Sequence, residues 1–546
     1  MANIQEKIAK LFPEATFEEG ECLLVNIPDA KWHALAKTLK EDSELSYDYL
    51  VAIVGVDWTE TLGCMYYLTS TKYNTHISVR VSTADREKPM LHSITDLWAV
   101  ANLYEREVYD YFGIIFINHP DMRRLFLRND WVGYPLRKDY DASPEVNPVR
   151  LDHEEVEDTS VTYVEEADGT IVKKDVTIFA PEDFVVNIGP QHPATHGVLR
   201  FRTAVDGETI KKIDLYLGYI HRGIEKLCEG LGYPQTLHFT DRLDYLSAQQ
   251  NRHCLCLCIE KALGIEVPRR AQVIRVMMDE LMRISSHLLF IGTFCMDLGA
   301  TTMLFYAMRE RERVLDIFER TCGARMTFNY NCIGGIMDDL DAGFVDDVKA
   351  LIEIMPKCLK EYDTIFTGNV IAHNRMDGVG VLSREDAISY SVTGPAGRAS
   401  GWACDVRKTT PYGIYSELDF EEVVLHEGDS MARFKARIEE IRQSIRILEQ
   451  LVDKIPEGEI CAKVPKIVKL PAGHWFQQVE ASRGAFGVYI ESTGGTSPMR
   501  LKFNSPCFNL AGVVAHITRG GKLGALIALG GTLAYGGPGV AREEEL

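Results

Sequence analysis

The sequence predicts an α+β protein with more than one core: a small α+β domain, then an acidic linker, then a mainly helical domain with β-rich segments. Three observations carry this reading. At 546 residues the chain exceeds the ~100–200 residues of a typical domain. Helix patterns alternate with β-rich runs over residues 1–140, whereas long amphipathic patterns dominate the second half. Between them, residues 141–183 hold 13 Asp or Glu against 3 Lys or Arg, with prolines at 144, 148 and 181. Such a stretch has few large apolar residues to bury and reads as a linker.

Within residues 1–140, AKWHALAKTLKED carries helical spacing, while YLVAIVGV, CMYYLTSTKY and HISVRVST read as strands. The domain closes on DLWAVANLYEREVYDYFGIIFINHPDMRRLFL and WVGYPLRKDY. There aromatics, acids and bases interleave too densely for a solvated face, which leaves an aromatic core edge or an interface. In residues 184–546, four long helices are expected: FTDRLDYLSAQQNRHCLCLCIEKALG, RRAQVIRVMMDELMRISSHLLFIGTF behind Pro268, TTMLFYAMRERERVLDIFERTCG, and SMARFKARIEEIRQSIRILEQLVDKI. The β-rich HWFQQVEASRGAFGVYIESTGG and PMRLKFNS should pack on that bundle. From Leu523 to Ala541 there is no charge, but six glycines and a proline make a poor spanning helix, so buried strand and turn are expected.

Composition narrows the function. A net charge of −20 argues against a nucleic-acid binder, which would show a basic stripe. The N-terminal MANIQEKIAKLFPEA has no apolar signal core, so a cytoplasmic location and reduced thiols are expected. No CxxC occurs among the 13 cysteines; Cys254, Cys256 and Cys258 alternate along a buried-helix pattern and would point different ways. A metal or cluster held by this chain alone is therefore not expected.

Four polar positions draw attention. In GPQHPATHGVLR (189–200), His192 and His196 flank Pro193, which prevents the regular i, i+4 geometry of a shared metal; ligands, a proton-handling site and ordinary loop histidines all stay open. Tyr245, early on the predicted helix of DRLDYLSAQQ, reads on its own as a core tyrosine. Asp297 follows the apolar LLFIGTFCM and either caps the next helix or meets a cation.

Taken together and in order, the motifs resemble a known family. GPQHPATHGVLR, HRGIEKL (221–227), DRLDY (241–245), RISSHL (283–288), MDLGA (296–300), RERE (309–312), RASG (398–401) and DVRKTTPY (405–412) resemble the 49-kDa-type, or D-type, subunit of respiratory complex I, NADH-quinone oxidoreductase. YEREVYDYFGI (104–114), HPDMRRL (119–125) and YPLRKDY (134–140) are similar to its 30-kDa-type, or C-type, subunit, so the order resembles the bacterial C/D fusion.

The resemblance implies a rear fold related to the nickel-iron hydrogenase large subunit. Hydrogenase activity itself is excluded, because the CxxC expected at Asp244 to Ser247 and the one near the C-terminus are absent, and soft thiolate ligands are required. It further implies a quinone-head cavity beside an iron-sulfur cluster carried by a neighbouring subunit, on the cytoplasmic side of the inner membrane. His196 and Tyr245 would hydrogen-bond the quinone, and Asp297 would orient and charge His196. Arg222 would sit near the neighbour's cluster; without the resemblance it reads as an interface salt bridge. His192 would brace the loop. Implied partners are the B-like and I-like iron-sulfur subunits and the H-like membrane subunit. The alternative is a non-catalytic scaffold in a related membrane complex.

The chain departs from the family at several places: Thr327 where a histidine is usual, Cys332 in place of an arginine, and Ala485, Thr493 and Ala534 in place of acids. The closing segment GGTLAYGGPGVAREEEL also differs from the family's ending.

Overall fold

The computed structural model describes residues 2–141, 143, 145–147, 158–191, 197–536 and 540. In the front part, a five-stranded sheet runs in the spatial order Thr16–Glu18, Leu23–Asn26, His76–Thr83, Leu62–Thr69, Tyr49–Asp57. All its neighbours are antiparallel except Leu23–Asn26 with His76–Thr83, which are parallel. The helix Asp29–Glu41 buries Trp32, Leu35, Ala36 and Leu39, the i, i+3, i+4, i+7 stripe of an amphipathic helix on a core.

The strand Tyr49–Asp57 is buried at every position after its first, which is why its sequence is continuously apolar rather than alternating. Leu50 and Ile53 join the front core, while Val54 and Val56 face a second cluster that includes Tyr489 from the rear half. The helix Ala101–Phe112, stopped by Gly113 at φ 71°, is the dense aromatic and charged stretch noted above. It forms an interface within the chain: Tyr104 Oη donates to Asn509 Oδ1 at 2.8 Å, and Glu107 pairs with Lys502 at 2.7 Å.

Residues 158–183, expected as linker, instead hold a hairpin. Thr159–Glu165 pairs antiparallel with Ile171–Thr177 around Asp168 and Gly169, whose φ of 83° suits the turn. Val161 and Tyr163 of TSVTYVE pack half-buried against the front core, and the backbone N–H groups of Asn118 and Met122 donate to the Tyr163 and Val161 carbonyls at 2.6 and 2.8 Å. These few β-branched and aromatic positions were outweighed by the acidic composition of their surroundings.

In the rear half, the helix Arg269–Asp297 is the central element, with Thr301–Cys322, Ser430–Leu451 and Ala248–Leu263 packed against it. Gly292 allows a close crossing: a Cβ there would lie 3.2 to 3.3 Å from Leu304 and Ala307. The three-stranded sheet Ala472–Ala481, Gly484–Thr493, Arg500–Asn504 packs on Ala248–Leu263, where the Cys254 thiol contacts the Gln477 carbonyl at 3.2 Å. Cys254, Cys256 and Cys258 are all buried free thiols.

The C-terminal segment corrects the sequence reading. Ala525–Leu533 is a helix, with Gly530 and Gly531 buried inside it, rather than strand and turn. Tertiary burial of a small-residue face overrides the low helix propensity of glycine. Among the described residues, no helix is long and apolar enough to cross a membrane.

Candidate functional site

Tyr245 lies not on the helix, as expected, but in the turn Asp244 to Ser247 that joins the short helix Thr240–Leu243 to Ala248–Leu263. Asp244 leaves helical geometry at φ −147°, ψ 97°, accepts the Leu246 N–H at 3.2 Å and pairs with Arg483. Anchored in this way, the turn presents half-buried Tyr245 to a cavity of about 160 Å³. Its lining is apolar at Leu289, Phe290 and Phe294 and charged or polar at Asp244, His287, Arg437 and Arg483.

Asp297 is the final residue of the helix Arg269–Asp297, partly buried. The N-cap position of the next helix is Ala300, three residues beyond it. Thr293, one turn earlier on the same face, lines the cavity; Asp297 stands one turn beyond that wall. His192 and His196 lie outside the described residues. The flanking strands Phe184–Ile188 and Arg200–Asp206 pair antiparallel, which brings the two ends of their loop together.

Arg222 is exposed on the loop before the helix Ile224–Glu229 and does not line this cavity. Its neighbour His221 stacks on Tyr111 and contacts Phe126, both from the front half, at centroid distances of 5.3 and 5.4 Å. Cys332 sits on a two-residue strand paired with Gly335–Ile336, and its thiol is 3.9 Å from that of Cys461.

A buried charged network backs the cavity. His287 Nε2 lies 2.8 Å from Glu440 Oε2, and Arg398 reaches both Glu440 and Glu480, at 2.5 and 2.7 Å. Arg407 joins Asp405 to Glu280. Burial pulls His287 down to about 4 despite its glutamate, so the ring is neutral near pH 7. Burial would raise Glu440, but Arg398 and His287 outweigh it and hold that carboxyl below the usual range. Burial pushes Glu480 up to about 7, against the attraction of Arg398.

Comparison with known proteins decides the family. The model of the respiratory-chain NADH dehydrogenase 49 Kd subunit matches residues 297–470 and 463–542, and that of the 30 Kd subunit matches 25–146. The C/D-type NADH-quinone oxidoreductase subunit of Phocaeicola vulgatus is 53% identical over 95% of this chain and 99% of its own. Its counterpart in Bacteroides thetaiotaomicron, also of C/D type, is 52% identical over 92% of this chain and 97% of its own. The D-type NADH-quinone oxidoreductase subunit of Geobacillus kaustophilus is 45% identical over 64% of this chain and 96% of its own. The chain belongs to the fused C/D subunits of respiratory complex I.

Among the residues that line or back this cavity, sequence reasoning missed His287, Arg437, Arg483 and the acids behind them. A signal was present: Arg275, Asp279, Glu280, Arg283 and His287 interrupt the apolar run of this helix and are buried, where charges occur only if paired. Of the departures from the family pattern, Ala534 lines the cavity, Ala485 is buried with its N–H on Thr393 Oγ1, and Thr493 ends a strand in solvent.

Proposed function

We propose that the fused chain forms the quinone-head site of a proton-translocating NADH:quinone oxidoreductase, and that it delivers protons to the reduced ring. The observation that carries this reading is Tyr245 lining a cavity whose other residues include apolar Leu289, Phe290 and Phe294 and the buried cation Arg437. A cavity of ~150 Å³ accommodates a benzene-sized ring, which matches the one beside Tyr245. A flat ring with polar oxygens fits a pocket that mixes apolar side chains with a few polar groups.

Quinone reduction takes two electrons and two protons, and each oxygen becomes basic as it gains charge in a poorly hydrated site. The electrons come from a neighbouring subunit's iron-sulfur cluster, with Arg222 facing that neighbour. Tyr245 gives one proton, and His196, which lies in sequence between the strands Phe184–Ile188 and Arg200–Asp206, gives the other. Asp297, one turn beyond the wall, charges and orients His196. Once His196 has given up its proton, the Asp297 carboxylate has lost its cation and moves or takes up a proton, which couples the chemistry to pumping. The chain acts only within the complex, with B-like, I-like and H-like partners at the cytoplasmic face of the membrane.

The test is made in the intact complex. Tyr245→Phe and His196→Ala are expected to depress quinone turnover while leaving reduction of the upstream clusters by NADH intact. Wild-type turnover in both variants would sink the assignment and favour the scaffold reading.

A further inference from the structure

Arg437 is 2% exposed and, among the described residues, has no hydrogen bond to a carboxylate. Its guanidinium donates to two backbone carbonyls, Arg433 at 2.8 Å and Leu533 at 3.4 Å, and lies over the Phe290 ring at 4.1 Å. Neighbouring acids are committed elsewhere. Glu440, one turn along, is taken by Arg398 and His287, and Asp244 across the cavity is taken by Arg483. Arg433, one turn earlier on the same helix, is likewise held by carbonyls and hydroxyls, so it adds positive charge.

Burial, the largest influence on Arg437, pulls its proton affinity below the ordinary guanidinium value; Glu440 only partly offsets this. A buried guanidinium without an anion is costly, and the remedy in proteins is a counter-charge within reach. The wall that could supply one within the chain carries Ala534, which lines the same cavity directly after Leu533.

We propose that the cavity between Arg437 and Ala534 is a binding site for a small monovalent anion of halide or formate size, with the Arg437 guanidinium as its main ligand. Arg483 also lines the cavity, with its charge paired to Asp244 of the same lining, and neutral His287 adds no repulsion. About 160 Å³ holds such an ion with several waters, at ~30 Å³ per water. The site itself does not depend on the quinone reading. Its kinetic consequence does: if the quinone head occupies this cavity, the ion must leave before a negatively charged ring oxygen can approach Arg437.

Chloride is the probe, and the line width of its 35Cl resonance with the full chain at constant ionic strength is the readout. The wild type is expected to broaden the line, with formate reversing the effect. Arg437→Gln should weaken chloride binding at least about tenfold, the loss of one charge-assisted contact.

Ala534→Asp is the second variant and guards against misfolding of the first. Ala534 has φ 56°, a left-handed conformation that aspartate tolerates better than alanine. Its carboxylate would neutralise Arg437 from within, so this variant should fold, melt higher than wild type and lose chloride binding. Broadening that is absent in the wild type, or unchanged in both variants, overturns the proposal. In the intact complex, chloride should inhibit competitively with quinone. Chloride binding without competition leaves the anion site standing and removes quinone from this cavity, so the two readings fail separately.

Discussion

Lys502, on the rear strand Arg500–Asn504, places its ammonium 2.7 and 2.8 Å from the two carboxylate oxygens of Glu107, on the front helix Ala101–Phe112. Both side chains are almost fully out of water. The pair joins the C-like and D-like parts at a shared core. Arg500 adds a second link, donating to the Gly55 carbonyl at 3.0 Å and pairing with Glu225 at 2.7 Å.

Glu107→Gln is therefore expected to destabilise the chain by about 3–5 kcal/mol, because a buried ammonium loses its carboxylate. Glu107→Met combined with Lys502→Leu should recover most of that loss, since removing both charges leaves neither stranded. Urea unfolding of the two variants and the wild type checks this. A single mutant as stable as the wild type would show that the pair does not hold the halves together.

Glu105, two residues away, has the opposite character. It is fully buried, its carboxylate meets the Ile94 N–H at 2.9 Å, and burial pushes it up to about 8 against that hydrogen bond. The folded state favours the protonated form, so this contribution to stability is complete below the unfolded value near 4.5. It is lost as pH rises from 4.5 through about 8. Glu105→Gln should flatten that slope and be more stable than wild type at pH 9. Urea midpoints at pH 5, 7 and 9 measure it.

The front helix Asp29–Glu41 was legible because its apolar spacing reports burial directly, at Trp32, Leu35, Ala36 and Leu39, and the long bundle helices were legible in the same way. The hairpin Thr159–Glu165 with Ile171–Thr177 was not, because its strands contribute little core and sit in an acidic stretch whose composition dominates a window average. The helix Ala525–Leu533 was not, because glycine there reflects close packing rather than a break. Tyr245 belongs to the motif DRLDY, but its place in a turn beside the cavity depends on the contact between Asp244 and Arg483, 239 residues apart. Arg437 was invisible for the same reason: only tertiary packing brings a helix arginine to Leu533 and Ala534.

Gly335 tests how closely the chain is packed beneath the bundle. A Cβ there would stand 2.1 Å from the Ile460 carbonyl oxygen and 2.6 Å from the Cys461 Cα, both backbone. Gly335→Ala must push the 460–462 segment away and break two hydrogen bonds, Ile336 N–H to Ile460 at 3.0 Å and Ala462 N–H to Gly334 at 2.9 Å. A loss of about 1–3 kcal/mol is expected, as for other overpacked sites. Faster amide exchange should appear at Ile336 and Ala462. Unchanged exchange at both would mean the hairpin yields without releasing its neighbour.

Asp244 separates the positioning of Tyr245 from its chemistry. Asp244→Asn keeps an oxygen for the Leu246 N–H but removes the charge that Arg483 needs, so the turn carrying Tyr245 loses its anchor. Tyr245→Phe keeps the turn and removes only the hydroxyl. In the intact complex, Tyr245→Phe should lower kcat for quinone by roughly 10²-fold, the scale of one general acid, with KM little changed. Asp244→Asn should raise KM as well as lower kcat, because a displaced phenol and an uncompensated guanidinium both disturb the bound ring. Identical kinetic signatures for the two variants would show that Asp244 does not act through Tyr245, and normal turnover in both would place the reacting quinone elsewhere.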